Sequence, residues 1–126
     1  MRKKILSITG NKPMNYLLKT TLSESYSLIP ADDIAAGITK LKTIGNIDLL
    51  IVDADFETQE SVDLIQFLSN SSLYSKPVIL LLTDQKIIKK FDQDILPHYF
   101  LKPFDPVKLI AAANKILQQQ ALTYVA

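Results

Sequence analysis

No cysteine occurs in the 126 residues of this chain, which excludes a disulfide framework, a thiol nucleophile and a thiolate zinc site, and fits a reducing cytoplasm. Glycine is scarce as well. Gly10, Gly37 and Gly45 stand far apart, so there is no glycine-rich loop to cradle a nucleotide. His98 is the only histidine, and it opens an apolar run, where a structural or surface role fits it best. Charge of one sign is also missing: the net charge is +1, and nothing global argues for nucleic acid. The small basic clusters, Arg2-Lys3-Lys4 and Lys86 with Lys89-Lys90, read as solvated surface. No apolar stretch approaches the ~20 residues needed to span a bilayer. The start, MRKKILSITG, breaks too soon to be the core of a signal sequence. What remains is a composition with 48 % hydrophobic and 21 % charged residues, that of a soluble globular protein with one domain's worth of core.

Short apolar runs alternate with helix-period segments along the whole chain. KILSI (4–8), YSLI (26–29), IDLLIVDAD (47–55), KPVILLLTD (76–84) and HYFL (98–101) read as strands. The third and fourth are apolar on both faces, the pattern of central parallel strands covered on both sides. Between them lie helical faces. Met14, Leu17, Leu18 and Leu22 follow Pro13; Ile34, Ile38 and Leu41 follow a cap at Asp32 or Asp33 and stop at Gly45-Asn46. Val62, Leu64, Ile65 and Leu68 follow Thr58-Gln59-Glu60. Ile87, Ile88 and Phe91 predict a short fourth helix before Pro97. Leu109, Ile110, Ala113, Ile116 and Leu117 predict a fifth, started by Asp105-Pro106. The order is (βα)5, an α/β fold with a doubly wound five-stranded parallel sheet. In such sheets functional groups gather at the carboxyl ends of the strands. Thr9 and Asn11, Asp53 and Asp55, Thr83 and Asp84, and Lys102 are the polar residues there.

These residues carry a family likeness. IDLLIVD, KPVILLLTD and YFLKPFDP, in that order, resemble the third, fourth and fifth strands of the receiver domain of two-component response regulators. The likeness covers residues 4 to 118, and a receiver domain is expected over 1–120 with a tail at 121–126. The resemblance implies the CheY-like, flavodoxin-like fold with strand order 2-1-3-4-5. It implies Asp53 as the phosphoacceptor, Lys102 and Thr83 as the contacts to phosphoryl oxygens, and a cis peptide between Lys102 and Pro103. It further implies Tyr99 as the switch residue of an output face, magnesium as the cofactor, and a histidine kinase or another signalling protein as the partner. A homodimer through the fourth helix, fifth strand and fifth helix follows from the same likeness. No enzymatic activity, nucleic acid or membrane is implied.

The sequence also departs from the pattern. The two acidic positions that hold the metal carry Thr9 and Gly10. At an effective dielectric near 20, a carboxylate 4 Å from a cation is worth roughly 4 kcal/mol per unit charge, so magnesium binding is expected to be weak. Asp53, with Asp55 as a partial substitute, is the remaining metal-ligand candidate. Thr83 falls one residue late, with Leu82 in its place, and the segment to Lys102 is short, which predicts a shortened or distorted fourth helix. Two signalling functions follow: a receiver that works through protein contacts with weak or absent phosphorylation, or a stand-alone receiver fully switched by a histidine kinase. A flavodoxin-like cofactor binder is a third, and TGNKP is a poor phosphate loop for it.

Overall fold

The computed structural model describes the backbone of residues 2–125 and the side chains of residues 2–118. Five parallel strands, β1 (Lys4–Ile8), β2 (Ser27–Ala31), β3 (Ile47–Asp53), β4 (Val78–Leu82) and β5 (His98–Leu101), form one sheet in the order β2-β1-β3-β4-β5. This is the doubly wound order that the resemblance implies. The second strand lies slightly later than its apolar run, because Pro30 is accepted on an edge strand, where a missing N–H leaves no central ladder unpaired.

The period of two sorts the strand residues onto two faces. Leu6, Ile8, Leu50, Val52, Leu80 and Leu82 point to one side and pack beneath α2 (Ile34–Ile44) and α3 (Thr58–Asn70). Ile5, Leu49, Ile51, Ile79 and Leu81 point to the other, beneath α1 (Lys12–Leu22) and α4 (Pro106–Val125). Every residue of β4 is buried, and every residue of β3 except the half-buried Asp48, which is why both runs are apolar without alternation. α2 approaches β1 so closely that a Cβ on Gly37 would lie 2.4 Å from Ile8 Cδ1, so a larger residue there forces the Ile8 side chain to shift. The helices start on their own side chains: Asn11 Oδ1 accepts from the Met14 N–H and Asp33 Oδ1 from the Ala36 N–H.

The fourth helix is short and distorted, as the sequence predicts, and forms no α-helix. Two 3₁₀ segments, Gln85–Lys90 and Gln93–Ile95, join β4 to β5. Ile88 and Phe91, the buried pair, are three apart, a spacing that a 3₁₀ turn and an α-turn both place on one face. Asp84 and Asp92 each accept a backbone N–H two residues on, which favours turns over a continuing helix. α4 is therefore the helix that the sequence pattern counts as the fifth. Its backbone runs to Val125, and the side chains of 121–126, where a tail is expected, lie outside the described residues. Without a fourth α-helix, β5 is thinly covered. Tyr99 and Leu101 are exposed, and a groove of about 780 Å³ opens at the amino ends of β4 and β5 between Leu68, Pro77, Leu96 and Tyr99. No described helix is long and apolar enough to cross a membrane.

Candidate functional site

Strand register brings the candidate residues together. Ile8 lies beside Val52, so Thr9 follows beside Asp53 at the next step. Leu82 lies beside Leu101, so Thr83 and Lys102 leave the sheet side by side. All four stand at the carboxyl end of the sheet, and the switch in winding direction between β1 and β3 opens the site there.

Asp53 is the last residue of β3, and its side chain has no solvent exposure. The Thr9 hydroxyl donates to Asp53 Oδ2 at 2.8 Å. Lys102 Nζ donates to Oδ1 at 2.8 Å, and the Asp55 N–H donates to the same oxygen at 3.2 Å. Lys102 also reaches Asp55 Oδ2 at 3.0 Å, so its ammonium lies between two carboxylates. The other Asp55 oxygen, Oδ1, accepts from the Thr83 N–H and from the Thr83 hydroxyl, each at 2.9 Å. The result is one chain of contacts: Thr9, Asp53, Lys102, Asp55, Thr83. The Lys102–Pro103 peptide bond is cis.

The electrostatics follow from this geometry. Burial by itself would push the Lys102 ammonium pKa down; the hydrogen bonds to Asp53 and Asp55 and their negative charge outweigh it and hold it above the ordinary lysine value. Burial would push Asp55 up; the Thr83 N–H, the Lys102 ammonium and the Thr83 hydroxyl outweigh it and hold its carboxyl below the usual range. Both groups are therefore charged throughout the neutral range.

Not every candidate joins the network. Tyr99 is on β5 but lines the groove at the opposite end of the strand, and no hydrogen bond joins it to Thr83 among the described residues. Thr83 bonds to Asp55 rather than to Asp53. Gly10 contributes no ligand atom; it passes close to the Asp32 carbonyl. Two contacts escaped sequence reasoning. Thr9 stands where a carboxylate was missed, yet it is a direct partner of Asp53, and the parallel register of β1 with β3 is the signal that would have found it. Glu57, held in the left-handed region at φ 51°, reaches across to accept the Ile34 N–H at the start of α2, a contact with no local signature.

Receiver domains bind Mg2+ at an acidic pocket, and the residues here do not fit one. Magnesium asks for several oxygen ligands in near-octahedral order. Asp53 Oδ1 already takes two donors, the Thr9 hydroxyl points its proton at Oδ2, and both Asp55 oxygens face Thr83 and Lys102. Asp33 and Glu57 are engaged on α2 backbone N–H groups. The cavity they enclose with Thr9 and Asp53 is about 10 Å³, space for a single water. No cluster of three or more metal-ligating side chains exists among the described residues.

No protein-family model matches the chain. The hybrid signal transduction histidine kinase D of Dictyostelium discoideum is 28 % identical over 116 residues, which are 90 % of this chain and 7 % of that protein. The signal receiver domain of an HD domain-containing protein from Pseudomonas fluorescens Pf-5 is 26 % identical, with a TM-score of 0.82 over 96 % of this chain and 98 % of that one. The chemotaxis response regulator CheY4 of Vibrio cholerae has a TM-score of 0.77 at 18 % identity, covering 92 % of this chain and 99 % of that one.

Proposed function

From its CheY-like receiver fold, we propose that the chain is a receiver module of two-component signalling that works through protein contacts in its unphosphorylated state. The engagement of Asp53 carries this reading. Phosphoryl transfer to a carboxylate needs the charge of the transferring group neutralised and the attacking oxygen free to turn toward it. Here the Asp53 carboxylate, which holds the phosphoacceptor position, is buried and held in place by three donors of the chain itself. The cation that would neutralise a phosphoryl group is committed to Asp53 and Asp55, and the positions of the metal-holding acids carry Thr9 and Gly10. The module is a binding and signalling element of the cytoplasm, not a catalyst, and it takes neither nucleic acid nor membrane. Its partner is a histidine kinase or another signalling protein, or a second copy. The exposed Tyr99 and Leu101 of β5 support a contact surface on that edge.

One observation favours the alternative of a fully phosphorylatable receiver switched by a kinase: Asp53, Thr83 and Lys102 meet at one strand end, within one network. Intact mass after incubation with acetyl phosphate, with and without magnesium, separates the two. The expected result is no adduct from the folded protein at high magnesium. A magnesium-dependent phosphate adduct that is lost in Asp53→Asn would overturn the unphosphorylated reading.

A further inference from the structure

Asp55 is bound by donors from two other strand ends. The Thr83 N–H and hydroxyl both lie 2.9 Å from its Oδ1, and Lys102 Nζ lies 3.0 Å from its Oδ2. A backbone N–H and a hydroxyl on one carboxylate oxygen and an ammonium on the other are the donors an oxyanion needs. A carboxylate that merely ends a strand or starts a turn bonds to N–H groups two or three residues away in its own segment. Asp55 instead reaches a residue 28 positions along, at the carboxyl end of the neighbouring strand β4. Nor is it required to neutralise Lys102, since Asp53 already lies 2.8 Å from that ammonium.

We propose that Asp55 is a built-in anion: its carboxylate fills an oxyanion site made by Thr83 and Lys102 and holds this corner of the sheet in its anion-bound arrangement with no external ligand. The inference rests on the unphosphorylated reading, because a phosphoryl group on Asp53 would compete for the same donors. The ligand class the vacated site takes is a tetrahedral oxyanion. The site is within reach of solvent, since the Lys102 and Asp55 side chains keep 12 % and 16 % exposure.

The test is a titration of the full chain with sulfate at constant ionic strength, followed at the Thr83 amide by ¹H–¹⁵N NMR. In the wild type that amide is expected to be protected from hydrogen exchange, although Thr83 is exposed, and to be unmoved by sulfate. In Asp55→Ala it moves saturably, with sulfate bound about 10- to 100-fold more tightly, the scale of a charge-assisted hydrogen bond. Asp55→Asn, which keeps the shape and drops the charge, should gain in the same direction and serves if the alanine variant does not fold. Equal sulfate binding by wild type and variants overturns the proposal. So does the absence of binding to either variant, or a wild-type Thr83 amide that exchanges like an unstructured one. Sulfate forms no acyl bond with Asp53. An acetyl phosphate adduct on the wild type, with the sulfate results as expected, would therefore sink the unphosphorylated reading and leave Asp55 as the anion only of the unmodified chain, displaced when Asp53 is phosphorylated.

Discussion

Replacing Lys102 with methionine removes the cation that lies between Asp53 and Asp55 and keeps most of the volume of the side chain. Asp53 would then be a fully buried carboxylate held only by the Thr9 hydroxyl and the Asp55 N–H. Removing one partner of a buried pair costs about 3–5 kcal/mol. Asp55 is partly exposed and turns toward solvent, so the expected loss is at the lower end, about 3 kcal/mol. With a urea m-value of about 1.5 kcal/mol per molar, the unfolding midpoint drops by about 2 M. The double variant with Asp53→Asn removes both buried charges and should recover all but about 1 kcal/mol, since a neutral replacement of a buried pair is tolerated. Equilibrium urea unfolding of the four proteins, followed by far-ultraviolet circular dichroism, gives the cycle directly. A Lys102→Met loss under about 1 kcal/mol, the range of a solvated ion pair, would refute the reasoning, and so would strict additivity in the double variant.

The same pocket sets a pH dependence. The Asp55 carboxyl is held below its ordinary 3.8, so its contribution to stability is complete above that value and is lost as the pH falls through its folded value. Lys102 is held above 10.5, so its contribution is complete below that value and is lost as the pH rises through its folded value. In urea unfolding across the pH range, the gap between wild type and Asp55→Asn should narrow only below pH 3.8, and a gap that widens there would contradict the assignment. Gly37→Ala should lower stability by about 1–3 kcal/mol, because its Cβ would press on Ile8, and Ile8→Val should relieve part of the loss. An unchanged melting temperature for Gly37→Ala would mean that the Ile8 side chain swings aside at no cost.

Much of the fold is legible because hydrophobic periodicity reports burial. IDLLIVD and VILLL carry no polar face, and strands of that kind belong in the middle of a parallel sheet. The shortened or distorted fourth helix has the same origin. Ile87, Ile88 and Phe91 report that the segment is buried on one side, but three apolar residues do not distinguish a 3₁₀ turn from an α-turn. The decision lay with Asp84 and Asp92, whose side chains close local turns. Within the site, Asp53 and Lys102 stand out as charges that end apolar runs. The partner of Asp55 does not, because a strand-end carboxylate has many local donors available and the sequence does not rank them.

The sequence by itself determined which residues are covered, which ends of the strands are polar, and that Asp53, Thr83 and Lys102 share one rim, since alternation and turn chemistry are local or period-two properties. Only the tertiary structure decided what those polar groups do to one another. The parallel register of β1 with β3 put Thr9 on Asp53. The exit of the chain after β3 aimed Asp55 across the rim at Thr83 and Lys102 rather than at a metal position. Those partners are 28 and 47 residues from Asp55 along the chain, and which of them a flexible carboxylate meets is set by the packing of three strands, not by its neighbours in sequence.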